Sequence, residues 1–408
     1  MPWPNGQLIN GTDSTPQTPA SCLFDKFGNA LFLFWKANDP SNHIFFSQSS
    51  TGAPWPAGQV IDGTDSTPQA LAACEFQNQL FVFWKANDPS NHIIFSTSFD
   101  GTTWPAGQLI NGTDSTPDAL AACVFNNQLF LFWKANDSSN RIFFSASSDG
   151  VTWPAGQLID GTDSTPESLA ACVFNGQLFL FWKANDPSNH IFFSASSDGA
   201  NWPGGQLIDG TDSTPESLAA CAFNGQLFLF WMANDPSNRI FFSASSDGAT
   251  WPGGQTINDT DSTPQALSAS AVNGELFLFW KANDPSNRIF FSAATPAQIA
   301  GPANESLVIT AVHFPNNVGE GTLGAPFDGL GFVVAATGAT PPQSANANVY
   351  TVTVPTGTAV TLGPDWEGAG FAIVNQSGVE TNQLITASGT IFVQAANVLS
   401  GSIKKKAS

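Results

Sequence analysis

The chain is 408 residues long, only 11% of them charged, and carries a formal net charge of −20. A charged fraction well under the usual ~25% leaves a surface of Asn, Ser, Thr, Gly and Gln, and an acidic field of this size repels phosphate backbones, which argues against nucleic acid as a partner. No apolar run reaches the ~18 residues of a membrane span, and no charged and then apolar leader follows Met1, so the expected location is the cytoplasm or, by leaderless export, the extracellular space.

Residues 3–9, Trp-Pro-Asn-Gly-Gln-Leu-Ile, read as a strand with no partner nearby in sequence. A unit that recurs six times follows. In its fourth copy, Ala170 to Phe174, Gln177 to Trp182, Ile191 to Ala195 and Trp202 to Ile208 are β-favouring runs, separated by Asn-Gly, Asn-Asp-Pro-Ser-Asn and Asp-Gly turn signals. Trp-Pro recurs at Trp3, Trp55, Trp104, Trp153, Trp202 and Trp251, and from Trp55 onward the spacing is 49 residues. Leu178, Leu180 and Trp182 point to one face of the sheet and Phe179 and Phe181 to the other, so both faces are apolar and both need cover. Four-stranded units of this length stacked around an axis are the pattern of a β-propeller.

The sixth copy has its inner strand (Ala266 to Val272) and hairpin (Glu275 to Ser292) but no Trp-Pro strand. Trp3 to Ile9 supplies it. The expected fold is therefore all-β: a six-bladed β-propeller over 1–294 closed by the N-terminal strand, with no open edge, then a linker over 295–304, an antiparallel β-sandwich over 305–400 and a basic tail over 401–408. The sandwich is read from seven short runs: Leu307 to His313, Leu330 to Ala336, Val349 to Val354, Ala359 to Leu362, Ala369 to Asn375, Gln383 to Ala387 and Thr390 to Gln394. Charge divides unevenly, nine basic against 26 acidic residues in 1–299 and three against six afterwards.

Cys22, Cys74, Cys123, Cys172 and Cys221 occupy one position of successive inner strands, with Ser270 in the sixth. An odd set related by rotation is not a disulfide framework and fits no zinc spacing, so small buried thiols near the central channel are expected.

In such a ring the loop between strands 2 and 3 and the loop joining strand 4 to the next blade open on one face. That face gathers Lys-Ala-Asn-Asp-Pro-Ser-Asn-His/Arg and Gly-Thr-Asp-Ser-Thr-Pro. A sugar site needs fixed planar donors and acceptors beside an aromatic ring. The candidate contacts are Trp35, Trp84, Trp133, Trp182, Trp231 and Trp280, the amides Asn38, Asn87, Asn136, Asn185, Asn234 and Asn283, and the acids Asp39, Asp88, Asp137, Asp186, Asp235 and Asp284. The last position alternates between His43, His92, His190 and Arg141, Arg239, Arg288, a donor that tolerates a change of charge. Lys36, Lys85, Lys134, Lys183 and Lys281 recur as well, with Met232 the exception in blade 5. The bland reading is that these segments are ordinary Asx turns, with Lys183 and Asp186 pairing across the loop. Calcium is an alternative occupant of the same oxygens; no other cofactor is expected.

On blade length, strand pattern and two tryptophans per unit, the ring resembles the β-propeller lectins, the group of tectonin or tachylectin-type and fungal fucose-binding proteins. That resemblance implies monosaccharide pockets between blades. Ser197-Asp198-Gly199-Ala200-Asn201-Trp202 resembles the Asp-box of sialidases, which implies a structural turn with the tryptophan packed beneath it; the first copy, Ser50 to Trp55, lacks the Asp. Sialidase chemistry itself is excluded by inventory. The three arginines occupy equivalent positions of different blades, and the single tyrosine, Tyr350, lies outside the ring.

Asp is plentiful enough for a glycosidase pair, but six copies of one environment offer no asymmetric acid and base, and only blade 5 differs, by losing a lysine. The expected function is a non-enzymatic, multivalent lectin whose partners are glycans or glycoconjugates and whose C-terminal domain is an option for homo-oligomer assembly. The competing reading is a scaffold propeller that binds protein or self-assembles.

Overall fold

The computed structural model describes residues 3–299 and, after them, the strand segments 304–311, 332–334, 343–346, 349–355, 359–362, 366–375, 390–392 and 397–405. Residues through Ile299 form one compact unit and the later segments another.

Six four-stranded antiparallel sheets make up the first unit. The fourth is typical: Ala170–Phe174, Gln177–Lys183, Ile191–Ser196 and Gln206–Leu207, in that spatial order. Its hairpin register pairs Trp182 with Phe192 and Lys183 with Ile191. The fourth strand is shorter than the sequence suggests, two residues rather than the expected run from Trp202. Pro203 cannot donate to a ladder, and its carbonyl is instead taken by the Ser194 hydroxyl at 2.7 Å. Each inner strand lies against those of both neighbours, the first against the sixth, so the sheets close a ring.

The closure occurs where the sequence places it. Gln7 pairs with Phe291 and Leu8 with Phe290, and the Ile9 N–H donates to the Ile289 carbonyl at 3.0 Å. Trp3 packs edge-on against Phe230 of blade 5, centroids 5.6 Å apart.

The two apolar faces of each sheet meet across blade boundaries. Leu178, Leu180 and Trp182 of blade 4 join Phe130, Phe132 and Phe144 of blade 3 in one cluster, with Trp202 edge-on to Phe132 at 5.5 Å. The same pairing recurs at all six junctions. The core is thus six equivalent inter-blade layers, each uniting a leucine and tryptophan face with a phenylalanine face.

Two expectations need correction. Residues 295–304 do not run as plain linker: Pro296–Ile299 is one helical turn. Thr295 and Gln298 bond reciprocally there (Thr295 N–H to Gln298 Oε1 2.9 Å), a capping box with proline at the first helical position, and Ile299 packs on the blade 5 and 6 cluster. Residues 401–405, read as tail, continue the strand Asn397–Lys405.

In the second unit, five strands are ordered 343–346, 349–355, 304–311, 397–405 and 366–375, and three are ordered 332–334, 359–362 and 390–392. The pairing of 304–311 with 397–405 is parallel, against the all-antiparallel expectation. The expected run Gln383 to Ala387 lies outside the described residues.

Candidate functional site

The loop between strands 2 and 3 is built by its own side chains. In blade 4, Asp186 Oδ1 accepts the Ser188 N–H at 2.8 Å, Ser188 Oγ accepts the His190 N–H at 3.2 Å, and Asn189 takes the left-handed conformation at φ 55°, which asparagine tolerates. The Ala184 N–H closes the turn onto the His190 carbonyl at 2.8 Å. Hydrogen bonds from the Ser188 hydroxyl and N–H hold the Asp186 carboxyl below its ordinary range, and the corresponding serines do the same for Asp39, Asp88, Asp137, Asp235 and Asp284. These acids stay ionised.

Each such loop is tied to the inter-blade loops on both sides. Asn185 Nδ2 donates to Ser164 Oγ at 3.2 Å in the loop before blade 4, and the Thr214 N–H in the loop after it donates to the Asn189 carbonyl at 3.0 Å. Asparagines also bridge blade to blade, Asn91 to Asn136 at 3.3 Å and Asn287 to Asn38 at 3.2 Å. The result is a pre-organised polar rim carrying exposed Asn, Asp and Pro, half-buried His43, His92 and His190, and exposed Arg141, Arg239 and Arg288.

The inter-blade loop is equally fixed. Asp209 Oδ1 accepts the Thr211 and Asp212 N–H groups at 2.7 Å, and Asp212 Oδ2 accepts the Gly254 N–H of blade 5 at 2.8 Å. Where the first position is Asn, its amide donates to the second acid: Asn10 to Asp13 at 2.7 Å, Asn111 to Asp114 and Asn258 to Asp261 at 2.8 Å. Where it is Asp, the like charge adds to burial. Asp212 is pushed up to about 6, by burial first and Asp209 second, and Asp65 and Asp163 move the same way.

Of the 24 predicted contacts, the rim brings the Asn, Asp and His or Arg members together at each blade; it does not include the tryptophans. Trp35, Trp84, Trp133, Trp182, Trp231 and Trp280 are 0 to 2% exposed, lying inside the inter-blade layers. A Cβ on Gly205 would lie 2.4 Å from Trp182 Cζ2, and glycine or its equivalents cover the ring edge in every blade. An indole so covered presents no face to a sugar. The Trp-Pro set is also buried, 2 to 8% exposed, as packing residues. Lys183 does not pair with Asp186; its Nζ lies 2.9 Å from the Pro215 carbonyl and 3.9 Å from Glu167.

Sequence reasoning missed two features. Phe45, Phe143, Phe192, Phe241 and Phe290, with Ile94 in blade 2, are half-buried and stand two residues after the His/Arg position, on the same side of the strand. Phe192 stacks on Trp182 with centroids 6.2 Å apart. The alternation of Ile-Phe-Phe-Ser carried this signal. The second is a central cavity whose charged positions, Asp118, Glu167 and Glu216, fall on three consecutive blades, with Gln17, Gln69 and Gln265 at the same position of the other three. It shows in the sequence as the variable residue after each Thr-Pro.

The five cysteines are free, and burial pushes all their thiols up, that of Cys172 to about 12. Among the described residues no helix is long and apolar enough to cross a membrane.

No known protein family matches the sequence, and no curated protein is similar to it. The ring is similar in fold to the fucose-specific lectin of Aleuria aurantia, at 17% identity and TM-score 0.53 over 72% of this chain and 99% of that one. It is similar as well to the BP39L lectin of Burkholderia pseudomallei, at 18% and 0.55 over 70% and 83%. A third is the α-L-arabinanase of Penicillium chrysogenum complexed with arabinobiose, at 14% and 0.55 over 72% and 99%. The first unit is a six-bladed β-propeller. At these identities the likeness carries the propeller alone, an architecture shared by lectins and an enzyme.

Proposed function

We propose that the propeller is a multivalent carbohydrate-binding protein, a lectin without catalytic activity, with a site at each blade of the rim. The observation that carries this reading is the sixfold recurrence of one polar set on the rim, Asn185, Asp186 and His190 and their equivalents, with the amide and the carboxylate fixed by hydrogen bonds through their side chains and the His/Arg position held through its backbone N–H. Rigid donors and acceptors avoid an ordering cost on binding, and polyhydroxylated ligands are what such a set suits. With the tryptophans buried, the half-exposed phenylalanine beside the His/Arg position is the aromatic surface each site offers. Blade 2, with Ile94, is then the weakest site. The fucose-specific lectin and the BP39L lectin that share the fold support the class of ligand, and several weak sites of one kind bind tightly through effective concentration.

The test is a glycan array followed by calorimetry on the full chain. One variant replaces His43, His92, Arg141, His190, Arg239 and Arg288 by Ala; none of the six belongs to an inter-blade core cluster, so the ring keeps its fold. Binding to one glycan class, at several equivalents per chain, with loss in the variant, is expected. An array without signal, or binding unchanged in the variant, overturns the reading.

A further inference from the structure

At the centre of the ring a cavity of about 320 Å³ is walled by the first residues of the six inner strands and the residues that lead into them. Asp118, Glu167 and Glu216 stand on consecutive blades of its wall, and glutamines take that position on the other three.

Two of these acids show what the position holds. Lys134, ending the second strand of blade 3, places Nζ 3.4 Å from Asp118 Oδ2 and donates to the Pro166 carbonyl of blade 4. Lys183 repeats the arrangement one blade on, against Glu167 and the Pro215 carbonyl of blade 5. Each ammonium bridges the acid of its own blade and the proline carbonyl of the next. In blade 5 the acid is present and the lysine is not. Met232 takes the place, buried, with a side chain of similar length and no charge.

Among the described residues Glu216 therefore forms no ion pair and the Pro264 carbonyl receives no hydrogen bond. Burial, and then the Glu167 carboxylate, push the Glu216 carboxyl up to about 7, while Lys183 and Lys281 offset only part of this from further off.

A second observation points to the same spot. Ser217 lines the cavity, and its hydroxyl has no partner among the described residues, which leaves it open to a molecule in the cavity. Its counterpart in blade 4, Ser168, donates to Asp118 Oδ1 at 3.1 Å.

We propose that the blade 5 side of the central cavity binds one primary ammonium group of a small polar molecule, seated between Glu216 and the Pro264 carbonyl where blades 3 and 4 hold a lysine ammonium, with the Ser217 hydroxyl as a further contact. The amide and alanine lining of the remaining wall suits a ligand with hydroxyl or amine groups, and the volume is ample for a molecule the size of a monosaccharide. A short diamine and an amino sugar share this chemistry. The site is single and asymmetric, independent of the rim.

Calorimetry of the full chain with 1,4-diaminobutane and with glucosamine separates the two sources. One equivalent per chain of at least one of them is expected. Met232→Lys, which installs the residue found in the five other blades, and Glu216→Gln each weaken that binding at least tenfold, while the six-position rim variant leaves it unchanged. Two results overturn the proposal: neither amine binding at one equivalent up to about 10 mM, or either cavity variant binding as the unaltered chain does. Loss of rim binding alone bears only on the lectin reading.

Discussion

Asp209→Asn isolates a single electrostatic conflict, because three junctions of the same ring already contain the cure. Asn10, Asn111 and Asn258 keep both backbone contacts of the loop and add an amide donor to the following carboxylate at 2.7 to 2.8 Å. At Asp209 the loop keeps the contacts but sets a second carboxylate beside Asp212, whose carboxyl rests at about 6. In the unfolded chain that carboxyl ionises near pH 4, about two units lower. Below pH ~4 both states are protonated and the conflict costs nothing. As pH rises through ~4 to ~6 the unfolded chain releases its proton first, so folding becomes progressively less favourable, and above ~6 the cost is complete. Burial is the larger cause and survives the substitution, and water screens part of the rest in this half-buried loop. The amide removes the like charge and adds a hydrogen bond to an ion. A gain on the order of 1 kcal/mol at pH 7.5 results, which is about 2 °C in midpoint for a domain of this size. Thermal melts of the variant and the unaltered chain at pH 4 and pH 7.5 read the difference. A gain equal at both values, or none at pH 7.5, refutes the reasoning; Asp62→Asn and Asp160→Asn should repeat the expected pattern.

Gly205→Ala drives a methyl into Trp182, whose ring edge has no room to retreat, and should lower stability by about 1–3 kcal/mol in a melt; a neutral result would mean that the indole is mobile. Deleting residues 2–9 removes the strand that completes blade 6 and bares the layer holding Trp3, so we expect loss of cooperative melting together with self-association in light scattering. The cysteines, held as neutral thiols by burial, should label with iodoacetamide far more slowly in the folded chain than in urea at pH 8, and equal rates would place them at the surface. Glycan binding should be unchanged by EDTA, since each rim acid already spends one carboxylate oxygen on the serine two residues on; an EDTA-sensitive signal would favour the calcium alternative.

The ring was legible in the sequence because its physics repeats. The alternation of Leu178, Phe179, Leu180, Phe181 and Trp182 fixes two apolar faces, and the unpaired Trp3 to Ile9 segment fits only the gap in the sixth unit. The site was legible in part. Asn185, Asp186 and His190 are placed on one rim by a turn whose residues announce it, but nothing in the residue pattern says that Trp182 is roofed by a glycine 23 positions later. Spacing along a strand gives the side a residue points to, and cover comes from other strands. The cavity escaped notice for a related reason: Glu216 and Met232 lie in one blade, but their mismatch has meaning only once Lys183 and Glu167 show what a complete pair does.

Closure by the amino-terminal strand also orders events during synthesis. Until the last hairpin leaves the ribosome, the nascent chain carries two bare faces, the leucine and tryptophan side of blade 1 and the phenylalanine side of whichever blade was made last. Those faces fit each other in any copy of the chain. Two unfinished rings on one message therefore meet as readily as the ends of one, and a cell making this protein in quantity has reason to shield it with chaperones until residue 291 can receive residue 7.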